Sequence, residues 1–125
     1  MATVQDNQQP IAIEEIYEAG FTARCAGDYD TAKSHLTRVL QLDPTHMRAR
    51  WQLALIKGFE GDFDGSLEDL RVLSRAVPGN TDIRYDYGMT LMMLGDYDAA
   101  KVEFEAILSL EPDNERAQQQ MAYFG

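Results

Sequence analysis

Apolar residues along this chain return at helical intervals, and the intervals themselves repeat. Ala32, Leu36, Val39 and Leu40 stand at i, i+4, i+7 and i+8, the spacing that lines one face of an α-helix. Leu67, Leu70 and Leu73, at i, i+3 and i+6, draw a similar stripe further on, and Ala100, Phe104, Ile107 and Leu108 draw the first one again. Ile13, Ile16, Tyr17, Ala19 and Gly20 mark a helix ahead of the first stripe. The pattern predicts helix pairs and no sheet.

The polar punctuation keeps the same phase. Gly27-Asp28-Tyr29-Asp30, Gly61-Asp62-Phe63-Asp64 and Gly95-Asp96-Tyr97-Asp98 are near copies at a step of 34 residues. Pro44, Pro78 and Pro112 hold the same step, so two independent markers report an internal repeat. Each glycine is placed to end a leading helix, because it enters the left-handed conformation without strain. The aspartates after it then open the trailing helix, where they accept backbone N–H bonds and meet the positive end of the dipole. Proline stops the trailing helix by keeping its predecessor out of the helical region. Thr45, Asn80 or Thr81, and Asn114 are the expected caps of the helices that follow.

From Ile13 to Asn114 these residues resemble the tetratricopeptide repeat. The small residues of its leading helix match Ala19-Gly20, Leu53-Ala54 and Tyr87-Gly88. Its trailing-helix spacing matches Ala32 and Leu36, Ser66 and Leu70, and Ala100 and Phe104, and the closing proline is present each time. The sequence departs from the family at its fourth position, often Trp, which is Ile16, Arg50 and Arg84 here. The resemblance implies an all-α fold: a right-handed superhelical stack of three antiparallel helix-turn-helix repeats, or α-solenoid. The expected repeats are 13–46, 47–80 and 81–114, with a cap at 115–125, together forming a domain over 11–125 behind a flexible segment, 1–10. Terminal repeats need a polar outer face. In the cap, Met121 and Phe124 are expected to pack on the third repeat while Gln118, Gln119 and Gln120 supply polarity.

Composition narrows the function. The 125 residues carry 21 acidic and 11 basic groups, a net charge of −10. That balance argues against nucleic acid, which selects basic faces, and against anionic membranes. No apolar run approaches the length of a membrane-spanning helix, and the single cysteine, Cys25, cannot form an internal disulfide. A soluble cytoplasmic protein without membrane insertion is expected.

Candidate chemistry adds little. There is no Gly-rich phosphate loop, no paired-cysteine zinc spacing and no His-Glu-x-x-His, so no enzyme, cofactor or metal is expected. The Asp-x-Asp turns lack the ligand series of a calcium loop and are explained as caps. His35 and His46 read as surface histidines, and Cys25 as buried or inert filler.

The resemblance does imply a binding face. In the family, positions two, five, nine, twelve and thirteen of each leading helix point into a concave groove. Here these are Glu14, Tyr17, Phe21, Arg24 and Cys25; then Arg48, Trp51, Leu55, Gly58 and Phe59; then Asp82, Tyr85, Met89, Met92 and Met93. The residues expected to hold a peptide are Tyr17, Phe21, Arg24, Arg48, Trp51, Leu55, Phe59, Tyr85, Met89 and Met92. Aromatics and methionines are the side chains that supply most binding energy and adapt to varied ligands. Trp51 stands one residue after the usual Trp position, which turns it by about 100° toward the groove. Stacking of Tyr17, Trp51 and Tyr85 on one another is the structural alternative. Some family members clamp an acidic chaperone tail with Lys, Asn and Arg at five positions that hold Tyr17, Phe21, Gln52, Asp82 and Asp86 here. Two of the five have the wrong sign, which makes that ligand unfit. The expected function is an adaptor that binds an apolar or amphipathic segment of another protein. The alternative is self-assembly into a homo-oligomer through the groove or the terminal repeats.

Overall fold

The computed structural model describes residues 2–124, with side chains described over 12–124; the expected flexible segment 1–10 lies outside those side chains. Seven α-helices follow in order: α1 (Ala2–Cys25), α2 (Tyr29–Leu42), α3 (Met47–Phe59), α4 (Phe63–Ala76), α5 (Thr81–Met93), α6 (Tyr97–Leu110) and α7 (Glu115–Met121). A short 3-10 turn, Ala122–Phe124, completes the described chain, and no strand occurs among the described residues.

The punctuation does what backbone chemistry asks of it. Gly27, Gly61 and Gly95 have φ of 81°, 96° and 85°. An L side chain is strained in that region, so Gly61 is the residue type that lets α3 turn sharply into α4. Asp28, Asp62 and Asp96 follow as N-caps, and each carboxylate accepts the backbone N–H three residues on. At the other end, Asp43, Val77 and Glu111 each precede a proline and leave the helix, with φ of −142°, −130° and −135°.

The leading helices differ from expectation at one cap. Asn80 and Asn114 accept from the N–H groups of Ile83 and Ala117, as expected. Ahead of α3, however, the acceptor is His46 Nδ1, 3.1 Å from the Ala49 nitrogen. Thr45 instead donates its N–H and hydroxyl to the Asp43 carboxylate at 3.0 and 2.7 Å. Thr45 lies one residue too far from the helix to reach its first turn.

The fourth-position arginines also acquire a role. Arg50 donates to the Pro44 carbonyl through Nε at 3.0 Å and Nη2 at 2.6 Å. Arg84 donates to the Pro78 carbonyl at 3.1 Å, and Gln118 to that of Pro112 at 2.9 Å. A long donor at this phase satisfies a carbonyl that the proline turn leaves outside any helix.

Two compact units result, 1–56 and 57–125, with the division inside α3. The first packs Tyr17, Ala32, Leu36, Val39, Ala49 and Ile56 into one core, with Ile13, Ile16, Phe21 and Leu53 against it. The second buries Leu91, Ala100, Phe104, Ile107 and Ala117. Small residues let the paired helices approach: a Cβ on Gly88 would stand 2.9 Å from the Phe104 ring. Met121 and Phe124 pack against this second core, with the rings of Phe104 and Phe124 6.4 Å apart, so the cap contacts are those expected.

Candidate functional site

In the first unit the candidate site is built around Tyr17. Positions 17 and 21 lie four apart on one face of α1, and their rings are 6.2 Å apart. Tyr17 is 5% exposed and belongs to the core, so it is less open than the expected apolar strip requires. Its ring is covered by the Arg48 guanidinium at 4.5 Å and flanked by the His46 ring at 5.1 Å. Arg48 Nη2 donates to both Glu14 oxygens at 2.7 Å, and His46 Nε2 lies 3.3 Å from one of them. Cation, ring and carboxylate thus come together from positions 14, 17 and 48.

Electrostatics follow from this geometry. The Arg48 hydrogen bond, seconded by His46, holds the Glu14 carboxyl below its ordinary value. The same bond raises Arg48. Burial pushes the Tyr17 phenol up, partly offset by Arg48. Gln52 is 4% exposed, and its Oε1 has no partner.

The remaining first-unit positions are half-buried: Phe21, Arg24, Trp51 and Leu55. Arg24 sets its guanidinium 5.2 Å from the Phe21 ring. Cys25, read as buried or inert filler, is exposed, and its sulfur accepts from Arg24 Nη2 at 3.6 Å. His46, read as a surface histidine, is 9% exposed. The Glu14 carboxylate and the Tyr17 ring that flank it are remote from it in sequence, while the helix it caps begins at the next residue.

The second unit repeats the arrangement with different tolerances. Arg116 from α7 lies 3.8 Å from the Tyr85 ring and 3.7 Å from an Asp82 oxygen. Gln120 donates to the Tyr85 hydroxyl at 3.3 Å, and Phe104 lies 5.8 Å from the ring. Met89 and Met92 are half-buried against the core, while Phe59 is 55% and Met93 64% exposed. Sequence reasoning did not find Arg116, although it stands 34 residues after Asp82 as Arg48 does after Glu14. Tyr17 and Tyr85 are each covered by an arginine.

Among the described residues no group of three or more His, Cys, Asp or Glu side chains is arranged to hold a metal ion. No helix among them is long and apolar enough to cross a membrane.

Helix hairpins marked by a turn glycine, an aspartate cap and a closing proline define a helical repeat scaffold. The chain belongs to the tetratricopeptide repeat family, whose pattern matches residues 60–122, half of its length. Over 56 residues it is 36% identical to the aspartyl/asparaginyl beta-hydroxylase of Mus musculus, a stretch covering 45% of this chain and 8% of that protein. Among solved structures, it resembles the first TPR of Spaghetti bound to the HSP90 peptide SRMEEVD, with TM-score 0.78 and 22% identity. That match covers 89% of this chain and 90% of the other. PcrH in complex with the chaperone binding region of PopB gives a TM-score of 0.75 at 20% identity, over 89% and 93%. These two structures establish likeness of fold.

Proposed function

We propose that this chain is a non-catalytic, cytoplasmic adaptor that binds an apolar or amphipathic segment of another protein through its leading helices. The observation that carries the proposal is incomplete burial of large apolar groups at matching phases. Phe21, Trp51, Leu55, Tyr85 and Met89 are half-buried, and Phe59 is mostly exposed. Apolar surface left open in this way is the usual mark of an interaction site. Spaghetti and PcrH, similar in fold, are each seen with a segment of another protein, which supports a protein ligand as the class.

The acidic HSP90 peptide is a poor candidate for this chain. The clamp positions hold Tyr17, Phe21, Gln52, Asp82 and Asp86, and the two aspartates would repel its carboxylates. An apolar segment with basic flanks fits both the aromatic positions and the net charge of −10. The experiment is affinity capture with the wild-type chain beside Trp51→Ala, followed by direct binding of the recovered partner. Loss of that partner with Trp51→Ala supports the reading, and equal recovery contradicts it.

Self-assembly is the second reading. It is favoured by Phe59, Met93 and Tyr97 of the second unit, which are 55%, 64% and 57% exposed. Light scattering across concentration separates the two: an adaptor keeps the mass of one chain, and a self-assembler does not.

A further inference from the structure

Residues 46, 80 and 114 occupy one place in the repeat, immediately ahead of a leading helix. Two are asparagines whose side chains cap the helix at every pH. The third is a histidine, and its partners dictate its protonation. The Ala49 N–H can only donate, so His46 Nδ1, 3.1 Å away, is the unprotonated acceptor. The ring proton of the neutral imidazole therefore lies on Nε2, facing the Glu14 carboxylate at 3.3 Å. We propose that His46 is a proton-operated helix cap: uptake of a second proton replaces the acceptor at Nδ1 with a donor and releases the first turn of α3.

The groups around the ring pull on the added charge in opposite directions. Glu14 and the Tyr17 ring face the imidazole from α1, Asp43 lies at the end of α2, and Arg48 belongs to α3 itself. Glu14 and Asp43 favour the imidazolium. Arg48 and the positive end of the α3 dipole oppose it. Attraction to Glu14 holds the charged ring near α1, yet no side chain then accepts the Ala49 N–H. The ring also competes with Arg48 for Glu14, so acidification loosens the guanidinium that covers Tyr17. The cap change stands on the first unit's geometry alone; any effect on ligand binding rests on the groove reading.

The test uses the free protein labelled with 15N, and the other two caps are its internal controls. At neutral pH the His46 ring should show the Nε2–H tautomer. Once acidification has placed a second proton on the ring, the Ala49 amide should lose roughly five-fold in hydrogen-exchange protection. That is the factor corresponding to a typical cap, counted after correction for the intrinsic pH dependence of exchange. Ile83 and Ala117, capped by Asn80 and Asn114, should not show this loss. His46→Asn installs the residue already used at the other two places, and should keep Ala49 protected at both pH values. An Nδ1–H tautomer, unchanged Ala49 protection in the wild type, or the same loss in His46→Asn would each overturn the proposal. The wild-type comparison of Ala49 with Ile83 decides the question even if the variant folds poorly.

Discussion

Tyr17 in the first unit and Tyr85 in the second stand at the same phase of a leading helix, and an arginine 31 residues later covers each ring. Their surroundings nonetheless differ. Tyr17 is buried in the core, and its arginine is tied to Glu14 at 2.7 Å. Tyr85 is half-buried, and its arginine stands 3.7 Å from Asp82. The covering arginine of the first unit comes from a 13-residue helix, and that of the second from a 7-residue one. Periodicity reproduces the placement of a side-chain cluster. How tightly it closes depends on side-chain reach and on the length of the supporting helix, since aspartate is one methylene shorter than glutamate.

The largest test of this comparison lies in the cores. Phe104 and Leu36 are equivalent positions, each fully buried. Phe104→Ala should destabilise by about 3–5 kcal/mol, because it also deprives Tyr85 and Phe124 of a ring neighbour. Leu36→Ala should fall toward the lower part of the ~2–5 kcal/mol range for such truncations. Denaturant unfolding measures both, and equal losses would mean that the aromatic cluster adds nothing beyond its volume.

A smaller effect separates the two arginines. Arg48→Ala should cost about 1 kcal/mol, as it removes a guanidinium from a buried ring and from a two-oxygen carboxylate contact. Arg116→Ala should cost less, under about 0.5 kcal/mol, since its ion pair is long and exposed. The reverse order in thermal unfolding would contradict the comparison.

The smallest effect is a pH dependence at Glu14. Its carboxyl is held low in the folded chain, so the unfolded chain binds that proton at higher pH. The resulting stability is fully present above the ordinary carboxylate range and is lost as pH falls through the depressed folded value. The stability advantage of wild type over Glu14→Gln should therefore shrink on acidification through that range. A pH-independent difference would show that the pair contributes by shape alone.

Much of the fold was legible because each backbone task admits few residue types. A left-handed turn asks for Gly61, a cap for Asp62, and a helix stop for Pro78, so spacing alone located the turns. The candidate site was less legible. His46 resembles any loop histidine until α1 places Glu14 beside it, and Arg50 and Arg84 hold proline carbonyls that no sequence pattern advertises. Burial of Tyr17 also escaped, because the residues that cover it, His46 and Arg48, stand about 30 positions further along the chain. Arg48 reaching across from α3 is what closes it.

The adaptor reading turns on Trp51, and one paired measurement on Trp51→Ala tests it: the melting temperature beside the affinity for the captured partner. A half-buried ring that serves binding should leave the fold nearly intact while affinity falls by about 2 kcal/mol or more. Collapse of the fold with unchanged affinity per folded molecule would contradict the account, making Trp51 a packing residue and placing the binding surface elsewhere.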